Sequence, residues 1–526
     1  MTASCGFGFT LLATEEGNMM SFGFNENGQL GCGNTLHQML PYLSRKEDVF
    51  DGDEIAMVAS GNEHGACVTQ SGKLWTWGNA KYGRLGQGVL PWCNTTCART
   101  RAKIIAQQNI VDQMIDPYEN SDWNIVHPRQ IVSSVFHHSK VTMVACGTAF
   151  TLALTESGNV WQSGTTDWFD QSQCSTVFKK IDVVSLIEED IEEHKRIVMI
   201  ASGSKHMMAL DSTGLLWMWG KCMFGELGLE NECDTTIANN TVIEPTAIPR
   251  SAFDGSDVVM MDGGMCFTMI VTTHGKLWSC GLGHYGALGL GSRQNVCSPQ
   301  YVGGPDQFDG WGVRMVACGE HHTLIVTEEN KVWSCGGGNR SQLGLSLDRA
   351  DTLWPTKLPD FNRFENESIV TAAAGSWHSV VVTQDGSVYT WGVTMHPNAE
   401  ELVPMGLGHY TPYHTPTPFP RLLMHTTFQN SDVITEPMQT RIGHWHHRCW
   451  LDNYPEFGVA FAMAIHRRLG PQTTIGNISE ELVRDILIGG MEFRPNYAKG
   501  VMALLGLSYQ NSHIKTESEI ISGNPI

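Results

Sequence analysis

The chain has 526 residues, 41% apolar and only 17% charged, with 55 glycines, 16 tryptophans and a net charge of −20. This composition excludes a disordered chain, which lacks apolar residues, and a collagen, which needs glycine at every third position. The acid excess argues against a protein that wraps nucleic acid or an anionic membrane, because no stretch gathers the lysines and arginines that phosphate neutralisation requires.

No basic segment followed by an apolar run opens the chain, and no window holds about 18 uninterrupted apolar residues. The expectation is a cytoplasmic or nuclear protein whose 15 cysteines are reduced thiols. The longest charge run, Glu188 to Glu193, reads as solvated surface.

Along the chain, one unit recurs seven times. It opens on a glycine at Gly6, Gly61, Gly147, Gly203, Gly264, Gly319 and Gly375, so its period is about 56 residues, with an insertion placed at 89–140. Eight residues after each glycine stands Thr14, Thr69, Thr155, Asp211, Thr272, Thr327 or Thr383. Three further on comes a turn residue, Gly in six copies and Asn330 in one, then an aromatic-rich run ending in a second glycine. Alternating runs such as Thr151-Leu152-Ala153-Leu154 and Leu74-Trp75-Thr76-Trp77 around a residue able to take positive φ predict a hairpin. A third strand precedes the glycine, as in Met143-Val144-Ala145-Cys146. A fourth, headed by proline as at Pro245, Pro299 and Pro355, suits an edge position where no ladder donor is lost.

Four short strands per unit, seven times over, predict an all-β seven-bladed β-propeller. The chain starts at a third-strand position (Ala3-Ser4-Cys5) and the repeats end with a proline strand near 416–423. The expectation is therefore a ring clasped by one blade that joins this last strand to residues 1–24. The propeller is assigned to 1–425 and a connecting segment to 426–454. After Trp450 the apolar period changes to that of a helix, and three short amphipathic helices form a helical appendage over 455–507, with a disordered tail at 508–526.

The residues themselves resemble a known family. Ala317-Cys318-Gly319-Glu320-His321-His322-Thr323-Leu324-Ile325-Val326-Thr327, with endings such as Gly83-Arg84-Leu85-Gly86 and Gly225-Glu226-Leu227-Gly228, look like the repeats of the regulator of chromosome condensation family, seven-bladed propellers of this unit length. The resemblance implies a protein-binding propeller, a scaffold or regulatory module. Its alternative implication is a guanine nucleotide exchange factor for a Ran-like small GTPase, the activity of the family's founding member. Other relatives are ubiquitin-ligase domains, a plant ultraviolet receptor and scaffolds. The basic tail that carries chromatin binding in the family has no counterpart before the first unit. Only Gly375-Ser376-Trp377-His378 approaches the ultraviolet receptor's tryptophan-rich loop.

In the family's exchange factor the GTPase is met at these loops by a histidine and the acid before it. Carried over, that names a GTPase-facing mouth of Glu63, His64, His206, His322 and His378, with Glu63-His64 the single acid-plus-histidine pair. The other reading of these histidines is a packing position, since Phe9, Phe150 and Phe267 replace them in three units. Of the tryptophans, Trp75, Trp77, Trp161, Trp217, Trp219, Trp278, Trp333 and Trp391 are expected to pack blade against blade. Cys93 with Cys97, and the run His444-Trp445-His446-His447-Arg448-Cys449, lack a complementary ligand pair, so no metal, cofactor or catalytic residue is assigned. The chain is expected to be a monomer with a protein partner.

Overall fold

The computed structural model describes residues 1–88, 124–166, 174–183, 196–229, 240–303, 307–345, 350–359 and 368–392, with the strand backbones at 394–395, 402–403 and 421–425. Two compact units divide the chain, Met1–Thr427 and Phe428–Ile526. The second, with the segment, helices and tail expected at 426–526, lies outside the described residues. So do Cys93, Cys97 and the histidine run at 444–449.

The first unit is a seven-bladed β-propeller of four-stranded antiparallel sheets. Blade 1 is β1 (Thr2–Cys5), β2 (Phe9–Ala13), β3 (Met19–Gly23) and β4 (Gln38–Ser44); blade 2 is β5 (Ile55–Ser60), β6 (His64–Thr69), β7 (Leu74–Asn79) and β8 (Asn124–Gln130). Blade 3 is β9 (Val141–Cys146), β10 (Phe150–Thr155), β11 (Val160–Gly164) and β12 (Ser175–Ile181); blade 4 is β13 (Ile197–Ser202), β14 (His206–Asp211), β15 (Leu216–Lys221) and β16 (Thr241–Ile248). Blade 5 is β17 (Val258–Gly263), β18 (Phe267–Thr272), β19 (Leu277–Gly281) and β20 (Val296–Tyr301); blade 6 is β21 (Val313–Cys318), β22 (His322–Thr327), β23 (Val332–Gly336) and β24 (Thr352–Lys357). Blade 7 is β25 (Ile369–Ala374), β26 (His378–Thr383) and β27 (Ser387–Gly392). A ribbon of β28 (Thr394–Met395) and β29 (Leu402–Val403) follows, and β30 (Arg421–His425) is the blade's outer strand.

Two expectations are corrected by this topology. Residues 1–24 and 421–425 stand in different blades, so no strand is exchanged to clasp the ring. Blade 1 takes its outer strand from Gln38–Ser44, which carries its own Pro41 and leaves no place for the C-terminal strand. The ring closes through side chains instead. Leu12, Met20 and Phe22 of blade 1 pack with Val380, Val382 and Val388 of blade 7. Also, the segment read as an insertion over 89–140 ends earlier: Asn124–Gln130 is the outer strand of blade 2, paired with β7.

Packing follows from the period of two. The second strand of each blade is buried along its length, and its alternate side chains go to opposite seams. Leu152 and Leu154 join the cluster with Trp217 and Trp219 of blade 4, while Ala153 joins Val68 and Leu74 of blade 2. Each of the seven seams has such a cluster. Burying a side chain of this size contributes about 1.5–3 kcal/mol. All eight repeat tryptophans are buried there.

Candidate functional site

The anchor glycines sit in the loops between the first and second strands. They share one face of the propeller with the loops that follow the third strands, and on that face these loops interlock. Ser204 N donates to Gly264 O at 3.0 Å and Thr148 N to Ser204 O at 2.9 Å. Glycine is required at the anchor because a Cβ on Gly203 would collide with the His206 ring and with the Gly264 carbonyl. The second glycine, as at Gly220 with φ +108°, lies under the Lys205 carbonyl in a backbone region that other residues disfavour.

The four anchor histidines are interior. His64, His206 and His322 are 0% exposed and His378 is 1% exposed. Each spans a seam to the second residue of the next blade's second strand. His64 Nε2 lies 2.9 Å from Thr151 Oγ1, His206 Nε2 3.0 Å from Thr268 Oγ1, His322 Nε2 2.8 Å from Ser379 Oγ, and His378 Nε2 3.0 Å from Thr10 Oγ1. Three of these hydroxyls donate their only proton to a backbone carbonyl: Thr151 to Arg84 O at 2.7 Å, Thr268 to Glu226 O at 2.7 Å and Ser379 to Gln342 O at 2.9 Å. They must then accept from the imidazole, which places the ring proton on Nε2.

Nδ1 of all four rings is buried without a partner. Burial holds the rings neutral, His206 and His378 at about 4 and His322 at about 3, and pushes His64 well below its usual value with help from the Arg84 charge. The reading of these histidines as groups that meet a partner is therefore corrected: they are seam bolts, and no solvent-facing atom is left to them. The bond from His378 to Thr10 is the polar half of ring closure.

Glu63 is placed differently. Its side chain is 40% exposed, and Oε2 accepts from Asn79 Nδ2 at 2.8 Å and from Arg84 Nη1 at 3.3 Å. Arg84 is only 3% exposed, so Glu63 neutralises a guanidinium that would otherwise be buried unpaired. The acid and the histidine of the Glu63-His64 pair thus point apart, one to solvent and one into the seam.

Three further features were not singled out from the sequence. First, an aromatic arc crosses the loop face. Tyr285 has its ring 4.5 Å from His284 and 4.6 Å from His321. Arg340 lies 5.9 Å over Trp377, whose ring meets Phe7 edge-on at 5.5 Å. Second, Tyr82, Phe224, Tyr285 and Arg340 occupy one position of the loop after the third strand. That loop is held below them by the next residue but one: Gln342 accepts from Arg340 N at 2.8 Å and Glu226 from Phe224 N at 2.7 Å. The signal for both was the variability of these positions against an otherwise fixed repeat.

Third, the inner strands enclose a channel of about 360 Å³ lined by Met57, Met143, Met199, Met260 and Asp262. Asp262 Oδ2 accepts from Cys318 N of the next blade at 2.7 Å, and burial raises its carboxyl to about 7. Among the described residues, no group of three or more His, Cys, Asp or Glu side chains could hold a metal ion, and no helix is long and apolar enough to cross a membrane.

The comparisons agree with this architecture. The ultraviolet-B receptor UVR8 of Arabidopsis thaliana is 28% identical over 350 residues, covering 66% of this chain and 55% of the receptor. The E3 ubiquitin-protein ligase HERC2 of Mus musculus is 28% identical over 74% of this chain but only 7% of the ligase. The guanine nucleotide exchange factor SRM1 of Saccharomyces cerevisiae is 26% identical over 75% of this chain and 78% of its own length. This chain thus spans about half of the receptor and a small part of the ligase. Among solved structures, yeast RCC1 (Prp20) bound to Kap60 matches with a TM-score of 0.59 at 22% identity, over 80% of this chain and 85% of that one. The RCC1 repeat matches residues 16–68 and the RCC1-like domain residues 45–435, and with seven blades of this repeat the chain belongs to the RCC1-like domain family.

Proposed function

We propose that this chain is a protein-interaction propeller whose partner docks on the loop face. The observation that carries this reading is the contrast within that face. Its glycines, seam histidines and hydroxyls repeat from blade to blade, while the side chains projecting from it, Glu63, Lys205, His321 and Trp377, differ in every blade. A rigid frame with unlike surface groups is what recognition of one asymmetric partner requires. The chain's acidity and its lack of a basic cluster favour a protein partner over nucleic acid.

A second reading, exchange on a Ran-like GTPase, is favoured by the likeness to exchange factors. Such an activity involves no covalent chemistry. The partner's nucleotide is released because contacts to its phosphates and magnesium are displaced. Glu63, a partly exposed acid beside an anchor histidine, is the residue that would act, and the four histidines would hold its loops in place.

Release of fluorescent GDP from Ran and related GTPases separates the two. Acceleration by the wild-type chain that is lost in Glu63→Gln establishes exchange. No acceleration, with a partner retained by the wild-type chain and lost on Trp377→Ala, establishes the interaction reading.

A further inference from the structure

We infer that the central channel is a binding site for an amphipathic amine, a ligand with a cationic head and a narrow apolar stem. The site goes beyond the interaction reading, whose partner meets the loop face. The inner strands enclose about 360 Å³, within the range of about 300–1,000 Å³ that small-molecule sites occupy. The two ends of this space differ in chemistry. Met57, Met143, Met199 and Met260 stand four positions before their anchor glycines, each half-buried, and form a thioether belt across blades 2 to 5. Such side chains are unbranched and polarisable, so they adapt their shape to an apolar stem.

The carboxyls lie at the other end, beside the anchor loops. Two positions before the anchor glycine, five blades have alanine, as at Ala59 and Ala201, and blade 1 has Ser4; blade 5 alone has an acid, Asp262. Along the strand it stands about 7 Å beyond Met260. Glu320, one residue past Gly319, also lines the channel and bonds the Ser376 side chain. The groups that bond Asp262, Cys318 N among them, are uncharged. Among the described residues that line the channel there is no lysine, arginine or histidine. Two carboxyls are thus held in a half-enclosed space without a cation, and desolvation raises both, Asp262 to about 7. Cys5, Cys146 and Cys318, the other titratable groups of the lining, are raised and neutral. A ligand ammonium supplies the missing charge while its stem covers the methionines; a carboxylate ligand is repelled.

The test is isothermal titration calorimetry of the full chain with octylamine, octanol, octanoate and ethylamine. Octylamine is expected to bind at least about tenfold more tightly than each of the others, since octanol lacks the charge, octanoate reverses it and ethylamine lacks the stem. Asp262→Asn should weaken octylamine about tenfold and leave octanol unaltered. Glu244→Gln, which removes an exposed acid from the outer strand of blade 4, should change neither. Because Asp262 ionises near pH 7, octylamine should bind up to about tenfold more tightly at pH 8 than at pH 6, and Asp262→Asn should flatten most of this rise. Urea midpoints confirm that the variants are folded, and Asp262→Ala, the side chain of five other blades, decides if Asp262→Asn is not. Equal binding of octylamine and octanol, no binding of any of the four, or an octylamine affinity that loss of the Asp262 carboxyl leaves unchanged would overturn the inference. The interaction reading stands under each of these results.

Discussion

The seam histidines make the ring sensitive to acid in a way that can be calculated. Each imidazole is neutral in the fold, with His206 and His378 at about 4 and His322 at about 3, against an ordinary value of 6.5. Above pH 6.5 both folded and unfolded chains hold these rings neutral, and the term is flat. Below it the unfolded chain takes up protons that the fold refuses, so stability falls as pH falls until each ring's folded value is reached. At pH 5 this amounts to about 2 kcal/mol per ring, at about 1.36 kcal/mol for each pH unit below 6.5. His64 adds in the same direction.

The perturbation is His206→Phe with His378→Phe, the residue already found at this position in blades 1, 3 and 5. The Thr268 hydroxyl keeps its bond to Glu226 O, so the first change strands no donor. Tryptophan fluorescence in urea, at pH 7.5 and pH 5.0, reads the midpoint and slope. The pH 5.0 penalty should shrink by about 4 kcal/mol in the double variant, with a smaller change at pH 7.5. An unchanged acid limb would refute the placement of these rings as buried neutral donors.

Other consequences are as direct. The Asp262 carboxyl is raised to about 7, above its unfolded range, so its contribution is intact in acid and is lost as pH rises toward 7. Asp262→Asn should therefore stabilise the ring at pH 8 by about 2 kcal/mol after solvent screening and have little effect at pH 4, checked by urea unfolding at both values. Thr268→Val removes the acceptor of His206 and the donor to Glu226 O together. A loss of about 1–3 kcal/mol is expected, read from the urea midpoint. Burial pushes the Cys335 thiol up to about 12, so iodoacetamide at pH 8 should label it only after urea is added.

Much of the candidate site was legible in part. The histidine-or-phenylalanine choice looked like a weak repeat position until the blades were set side by side. Each histidine precedes a blade with a hydroxyl at the matching place: Thr151, Thr268, Ser379 and Thr10. The phenylalanines precede Gly65, Met207 and Thr323; the first two have no hydroxyl, whereas Thr323 donates to Ala287 O at 2.8 Å just as the histidine-bound hydroxyls donate to their carbonyls, so a hydroxyl at this place accompanies histidine in four seams of five. The pairing joins residues 57 to 368 positions apart, so no local pattern reveals it. The direction of the Glu63 side chain was also hidden. It depends on Arg84, 21 residues on, being buried and in need of a counter-charge.

The sequence by itself determined the blades. Strand alternation, turn glycines and tryptophans are local, period-two features repeated seven times, and each repeat reinforces the same register. Only the tertiary structure decided how the ring closes and which residues face out. A periodic chain reads alike whether the outer strand is counted at the start or the end of each unit, and hydrogen bonding of Gln38–Ser44 to β3 settled that phase. Exposure is likewise a property of the assembled seams: the histidines that looked available for a partner were taken inward by hydroxyls of the next blade. Phe7, Arg340 and Trp377, from opposite ends of the repeat array, became neighbours once blade 7 met blade 1.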